Sequence, residues 1–240
     1  MNQLLLKLTR DPLGFVRRLI EKWLTEPRRY GQPGGDYDAA RYWHDRLARH
    51  GDTLRGVGDE GLPEADNAAQ YALAAQHFDT LCQGLPVEFT QARVLEIGVG
   101  TGFYTTRLQA QGVQHYLGVD ITDTNFPRLQ ERFPAFRFVR KDITADEVEG
   151  EYDLIVMIDV IEHIVTDEKV ARTLATLDRA LRPGGYWIIA PLAAEPQKHL
   201  FYVRFWALDE VQRRLPTYTW SAPRPFRSGA LYAAQKPVTR

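Results

Sequence analysis

The chain has 240 residues, 44% apolar composition and a formal net charge of −1, which suits one sizeable core with an appendage and gives no bulk charge for a nucleic-acid partner. Its single cysteine, Cys82, excludes an internal disulfide and fits a reducing, cytoplasmic compartment. No apolar run approaches the roughly 20 residues of a membrane span, and Leu4–Leu6 is too short for a secretion signal.

In chain order, Asp11-Pro12 reads as an N-cap with proline in the first helical turn. Phe15, Val16, Leu19, Ile20, Trp23 and Leu24 then share one face of a helix over residues 12–25, flanked by Arg17, Arg18 and Lys22. Pro27 ends it, and YGQPGGDYD is a joint. Further helices are expected over about Ala39–His50 and Ala65–Gln83, the second carrying Cys82 as a small core residue. From residue 92 strands and helices alternate. RVLEIG, HYLGVDI, FRFVRKDI, YDLIVMIDV and YWIIAP are strands, and TYTWSAP with ALYAAQKP is a closing pair. Near-continuous apolar strands between helices predict an α/β fold: a doubly wound, mostly parallel seven-stranded sheet with an antiparallel edge hairpin. Residues 1–64 are expected to form an N-terminal helical cap or extension, and residues 65–240 the α/β sheet domain.

The first strand runs into VLEIGVGTG. In an open parallel sheet ligands bind at the carboxyl ends of strands, and glycines there let a ligand approach the backbone. The spacing is G-x-G-x-G rather than the dinucleotide G-x-G-x-x-G. Glu96, two residues before Gly98, would repel a pyrophosphate and attract a cation such as the ammonium and sulfonium of S-adenosylmethionine. The E-x-G-x-G-x-G run resembles the first motif of class I S-adenosylmethionine-dependent methyltransferases of the small-molecule or glycan type. GVDIT, KDI, YDLIVMIDVIEHI and LRPGGYWIIAP resemble the later motifs in order, so the resemblance covers about residues 65–240.

The resemblance implies S-adenosyl-L-methionine as cofactor and methyl transfer to oxygen or nitrogen. It implies cofactor contacts from Glu96, Gly98, Gly100, Gly102, Asp120, Ile121, Asp142, Ile143 and Asp159. Asp120 would hold the ribose hydroxyls, Asp142 the adenine amine, and Ile143 would flank the ring. The bland alternative for Asp120 and Asp142 is an ordinary strand-end cap.

On the acceptor side, a hydroxyl acceptor needs a base where a neutral amine does not. His163 and His199 are the catalytic candidates, with Asp159, Glu162, Arg204 and Trp206 nearby in DVIEHI and HLFYVRFW. Bracing of a loop is the alternative for Glu162-His163, and helix packing for His199, Arg204 and Trp206. Phe103, Tyr104 and Tyr71 read as core or as a cofactor lid. The D-x-x-E-H…H pattern also resembles the metal set of RNA 3′-end methyltransferases, but aspartate replaces the first glutamate and only one histidine follows, so no metal is expected. The competing functions are an RNA methyltransferase and a non-catalytic cofactor-binding module. The N-terminal helix offers a cap, a homodimer contact or a peripheral membrane contact through residues 12–25.

Overall fold

The computed structural model describes residues 20–51 and 53–238. Most of the helix expected over 12–25, with Phe15, Val16 and Leu19, therefore lies outside the described residues. A π-type turn, Glu21–Thr25, leads into helix α1, Glu26–Tyr30. Here the apolar residues that can be placed, Ile20, Trp23 and Leu24, stand half exposed. Lys22 turns inward instead, to Glu26 at 3.0 Å and Glu60 at 2.6 Å.

Helix α2 spans Ala39–His50. Asp38 caps it by accepting from the Arg41 N–H at 3.1 Å, and Gly51 ends it in a left-handed turn. Its inner face carries Tyr42, Arg46 and Leu47. Arg46 is buried, and its guanidinium donates to Tyr42 Oη and to the carbonyls of Arg55 and Gly58. A short helix α3, Leu54–Val57, and a long helix α4, Glu64–Gln83, complete the N-terminal part.

The sheet follows: β1 (Arg93–Ile97), α5 (Phe103–Ala110), β2 (His115–Asp120), α6 (Phe126–Arg132), β3 (Arg137–Arg140), β4 (Tyr152–Ile158), α7 (Asp167–Ala180), β5 (Leu181–Leu192). After these come β6 (Gln197–Leu200), β7 (Val203–Phe205), α8 (Leu208–Arg214), β8 (Thr219–Trp220), β9 (Arg224–Phe226) and β10 (Gly229–Gln235). Strand order is β3-β2-β1-β4-β5-β10-β8, with β9 also on β10. The pairs from β3 to β5 are parallel, and β10 is antiparallel to β5, β8 and β9. The sheet thus has eight strands rather than seven. The extra strand arises because the outer strand is interrupted: β8 and β9 pair with β10 in nearly one antiparallel register, so the edge is the single hairpin expected. The segment 197–205, given no structure by its sequence pattern, forms a separate two-stranded ribbon, β6–β7.

Alternation within the apolar strands explains their composition. Val94, Leu154, Val156 and Ile188 face the layer holding Phe78 and Leu108, while Leu95, Ile155, Met157 and Ile189 face the layer holding Leu174 and Leu177. Both faces are covered, so both sets must be apolar. A third, aromatic cluster joins Tyr30, Tyr37 and Tyr42 to Tyr202 and Val203 of the ribbon region. Strand order reverses between the parallel neighbours β1 and β4, which opens the crevice at the carboxyl ends of those strands.

Candidate functional site

The cleft at that switch point encloses about 1070 Å³, its open mouth included. Its floor is the loop after β1 and the ends of β2, β3 and β4. Its roof is Tyr37, Trp43, Leu47, Val57 and Tyr71 from the N-terminal segment. The mainly apolar wall with a few carboxylates suits a small ligand.

The loop geometry is dictated by its glycines. Gly98 has φ +76°, and a Cβ there would lie 2.2 Å from Val160 Cγ2. Its N–H donates to the Val119 carbonyl at 2.7 Å, which ties the loop to β2. The Gly100 N–H donates to Asp120 Oδ2 at 2.9 Å, and the Thr122 N–H to Asp120 Oδ1 at 3.1 Å. Asp120 therefore pins the glycine loop and also lines the cleft, with lone pairs left over. Burial pushes its carboxyl above the usual carboxylate range, and the backbone donors pull it back. Ile121, Asp142 and Ile143 follow around the same wall. Asp142 Oδ1 accepts from the Thr144 N–H at 2.9 Å and the Thr144 hydroxyl at 2.7 Å, so it is a strand-end cap as well as a wall residue.

Two of the expected contacts stand behind the wall. Glu96 is 2% exposed and does not line the cleft. Its Oε2 accepts from Tyr116 Oη at 2.6 Å and Thr105 Oγ1 at 2.9 Å. Burial raises its carboxyl to about 7, against those hydrogen bonds. The side chain of a residue inside β1 points into the layer below, so the cation-attracting role inferred from sequence spacing gives way to bracing of α5 against β2. Gly102 also lies outside the cleft. It begins α5 at φ +78°, where a Cβ would meet Leu129 Cδ2 at 2.5 Å, so it serves the packing of α5 on α6.

The catalytic candidates separate. His163 lines the cleft. Its Nδ1 lies 3.0 Å from the Tyr202 carbonyl, an acceptor only, so Nδ1 carries the proton and Nε2 the lone pair. Its ring stacks on Tyr202 and meets Trp43 edge-on. Burial lowers its pKa to about 4, so the ring is neutral at pH 7. Glu162 beside it is buried, with Oε2 unpartnered among the described residues, and burial then the Asp159 charge raise it well above the usual carboxylate range. His199 is exposed on β6 and stands outside the cleft wall. The structure therefore does not bring His199 together with His163 at the cleft. Arg204 pairs with Asp167 at 2.7 Å and stacks on Trp206, whose Nε1 donates to the Ile164 carbonyl at 2.9 Å. Both are packing residues. The set Asp159, Glu162, His163 and His199 does not converge. Among the described residues no three His, Cys, Asp or Glu side chains are grouped to hold a metal ion.

Arg227 was not legible in the sequence: it is one arginine in a turn, PRPFRSG, with no motif around it. It reaches Asp159 at 2.5 Å and lies over the Tyr71 ring at 4.0 Å from its centroid. Trp43 and Leu47 were likewise hidden, since nothing marks α2 as a roof before the fold is known.

With this geometry in place, residues 94–185 match the family described as "Methyltransferase domain". Among curated relatives, a "Ubiquinone biosynthesis O-methyltransferase" of Bordetella avium is 27% identical over 150 residues, covering 60% of this chain and 60% of its own length. Among solved structures, "DhpI-SAH complex structure" superposes with a TM-score of 0.60 at 17% identity, covering 84% of this chain and 96% of that one. A 1,6-didemethyltoxoflavin-N1-methyltransferase of Burkholderia thailandensis, with bound 1,6-didemethyltoxoflavin and S-adenosylhomocysteine, gives a TM-score of 0.57 at 19% identity, covering 82% of this chain and 89% of that one. The fold is that of the class I, Rossmann-like methyltransferases. Within it, residues 94–185 of this chain carry a methyltransferase domain, and the chain spans about 60% of the length of that curated O-methyltransferase.

Proposed function

We propose that the chain transfers a methyl group from S-adenosylmethionine to an oxygen or nitrogen of a small-molecule or glycan acceptor. The observation that carries this reading is the cleft floor: bare backbone at Gly98 and Gly100, with Asp120 and Asp142 at successive strand ends beside it. That floor fits the cofactor. Gly98 has no room for a side chain, and two carboxylates face a space that must accept hydroxyl and amine donors. When bound, the cofactor supplies a methyl group already activated on a sulfonium.

The chain's own contribution is to bind, orient and exclude water. Asp120 takes the ribose hydroxyls while holding the loop. Asp142 would hold the adenine amine, with Ile121 and Ile143 available to flank the base. Asp159 faces the amino-acid end. Glu96 and Gly102 support these from behind. His163, its Nδ1–H committed to Tyr202, offers the Nε2 lone pair to the acceptor's proton. With a pKa of about 4 it is a weak base, suited to orienting an acceptor and accepting from an acidic hydroxyl.

Residues 1–64 act as the cap, and the acceptor enters beneath Trp43, Leu47 and Val57. The reading places the chain in the cytoplasm. Two contacts compete for Ile20, Trp23 and Leu24: a second copy of the chain and an anionic membrane surface. Gel filtration and vesicle sedimentation separate them. The primary test is calorimetry with S-adenosylmethionine and S-adenosylhomocysteine, followed by labelled cofactor with fractionated cell extract. Absence of binding to either compound overturns the reading.

A further inference from the structure

We propose that Arg227 is a positioning residue for Asp159, holding that carboxylate at the cleft wall as an anion ready for the ammonium end of the cofactor. The inference rests on the cofactor reading above and goes beyond it. It assigns a role to a turn, between β9 and β10, that carries no methyltransferase motif.

Three observations converge. Asp159 and Arg227 are the two non-glycine residues with positive φ among the described residues, at 57° and 35°, and they are each other's ion-pair partners. A left-handed backbone at an acidic and a long basic residue is a strained arrangement, which persists where the surroundings enforce it. Next, the two ends of the pair are placed differently. Asp159, at the end of β4, lines the cleft, while Arg227 does not. The arginine therefore acts through the aspartate. Finally, the guanidinium is built in: its side chain is 14% exposed, it lies on Tyr71 of α4, and Phe226 beside it is core.

The charges around Asp159 explain why such a partner is needed. Burial drives its carboxyl upward, and the Arg227 charge is what opposes it. Glu162 follows it in the chain, Tyr71 faces it from α4 and Tyr104 from α5, all three tending to be neutral because burial raises them. Arg227 thus supplies the cation of the cluster. Without it the carboxyl takes up a proton more readily and loses its attraction for an ammonium.

The test uses the full chain and calorimetry against two probes. S-adenosylhomocysteine carries the amino-acid end, and 5′-methylthioadenosine lacks it. In Arg227→Gln, affinity for S-adenosylhomocysteine is expected to fall about ten-fold or more at pH 7, with methylthioadenosine affinity unchanged. The acid limb of the S-adenosylhomocysteine profile should move to higher pH. Arg227→Lys keeps a cation and should restore most of the affinity. In an Asp159→Asn background, Arg227→Gln should have no further effect. Equal loss for both probes would show a merely structural arginine and overturn the proposal, as would an unshifted profile. Failure of the unaltered chain to bind S-adenosylhomocysteine would instead overturn the cofactor reading itself. If Arg227→Gln does not fold, the lysine variant and Asp159→Asn still decide: an Asp159→Asn affinity for S-adenosylhomocysteine equal to that of the unaltered chain at every pH would sink the idea.

Discussion

The floor and the roof of the cleft are built on different principles. The floor is backbone: a glycine loop whose N–H groups and positive φ angles are set within a few residues of sequence. The roof is side chains: Tyr37, Trp43, Leu47, Val57 and Tyr71 come from elements that meet the sheet only through packing. The difference teaches where specificity resides. A backbone floor takes one ligand and tolerates little change, whereas a roof of side chains can be redrawn for another acceptor without disturbing the floor.

The comparison can be broken most directly at Gly98. Gly98→Ala places a Cβ against Val160 and forces alanine into a left-handed conformation. Loss of measurable cofactor binding is expected. Gly102→Ala is the control, with a comparable clash against Leu129 but outside the cleft. It should lower thermal stability while the folded protein keeps its cofactor affinity. Loss of affinity in folded Gly102→Ala would erase the distinction between wall and support.

Next in size, His163→Gln should lower turnover about 10²-fold or more for a hydroxyl acceptor with cofactor affinity kept, while His199→Ala should leave both unchanged. Because burial holds His163 near 4, its protonation should not reduce activity between pH 7 and pH 5. A drop centred near 6.5 would contradict its buried, neutral state.

Glu96 gives a stability test. Its folded pKa, about 7, lies above the 4.5 of an unperturbed glutamate, so between those values the folded state binds more protons. Its contribution to stability is therefore full below about pH 4.5 and is lost as pH rises through 7. Glu96→Gln should gain on the unaltered chain by about 3 kcal/mol at pH 8 and by little at pH 4.5, read by denaturant unfolding. A gain independent of pH would mean Glu96 is not the group that titrates.

The smallest effect expected is at Asp120. Asp120→Ala removes a charged acceptor from the cleft and frees the Gly100 N–H. About 1.5–3 kcal/mol of cofactor affinity should be lost, ten- to a hundred-fold. Unchanged affinity would leave Asp120 with only its loop-pinning hydrogen bonds.

The parallel strands were legible because each must be apolar on both faces, and the glycine turn because only glycine accepts its backbone angles. Asp120, Ile121, Asp142, Ile143 and His163 sit at strand ends or just beyond, where short spacing fixes their place, and all five line the cleft. Glu96 and Gly102 stand off the cleft for different reasons: Glu96 lies inside β1 and turns its carboxylate to Thr105 and Tyr116, and Gly102 begins α5 against Leu129. His199 lies on the ribbon β6–β7, outside the main sheet, and no spacing from a sheet strand fixes its place.

The sequence by itself determined the strands and the backbone floor, because these follow from local conformational preference and from the run of apolar residues. Only the tertiary structure decided the roof and the Asp159–Arg227 pair. Residues 68 positions apart meet because β10 pairs antiparallel with β5 and brings its leading turn to the carboxyl end of β4. No local pattern encodes a contact that depends on closing a loop of that length, and the buried charge at Asp159 gains its partner only when the last strand is in place.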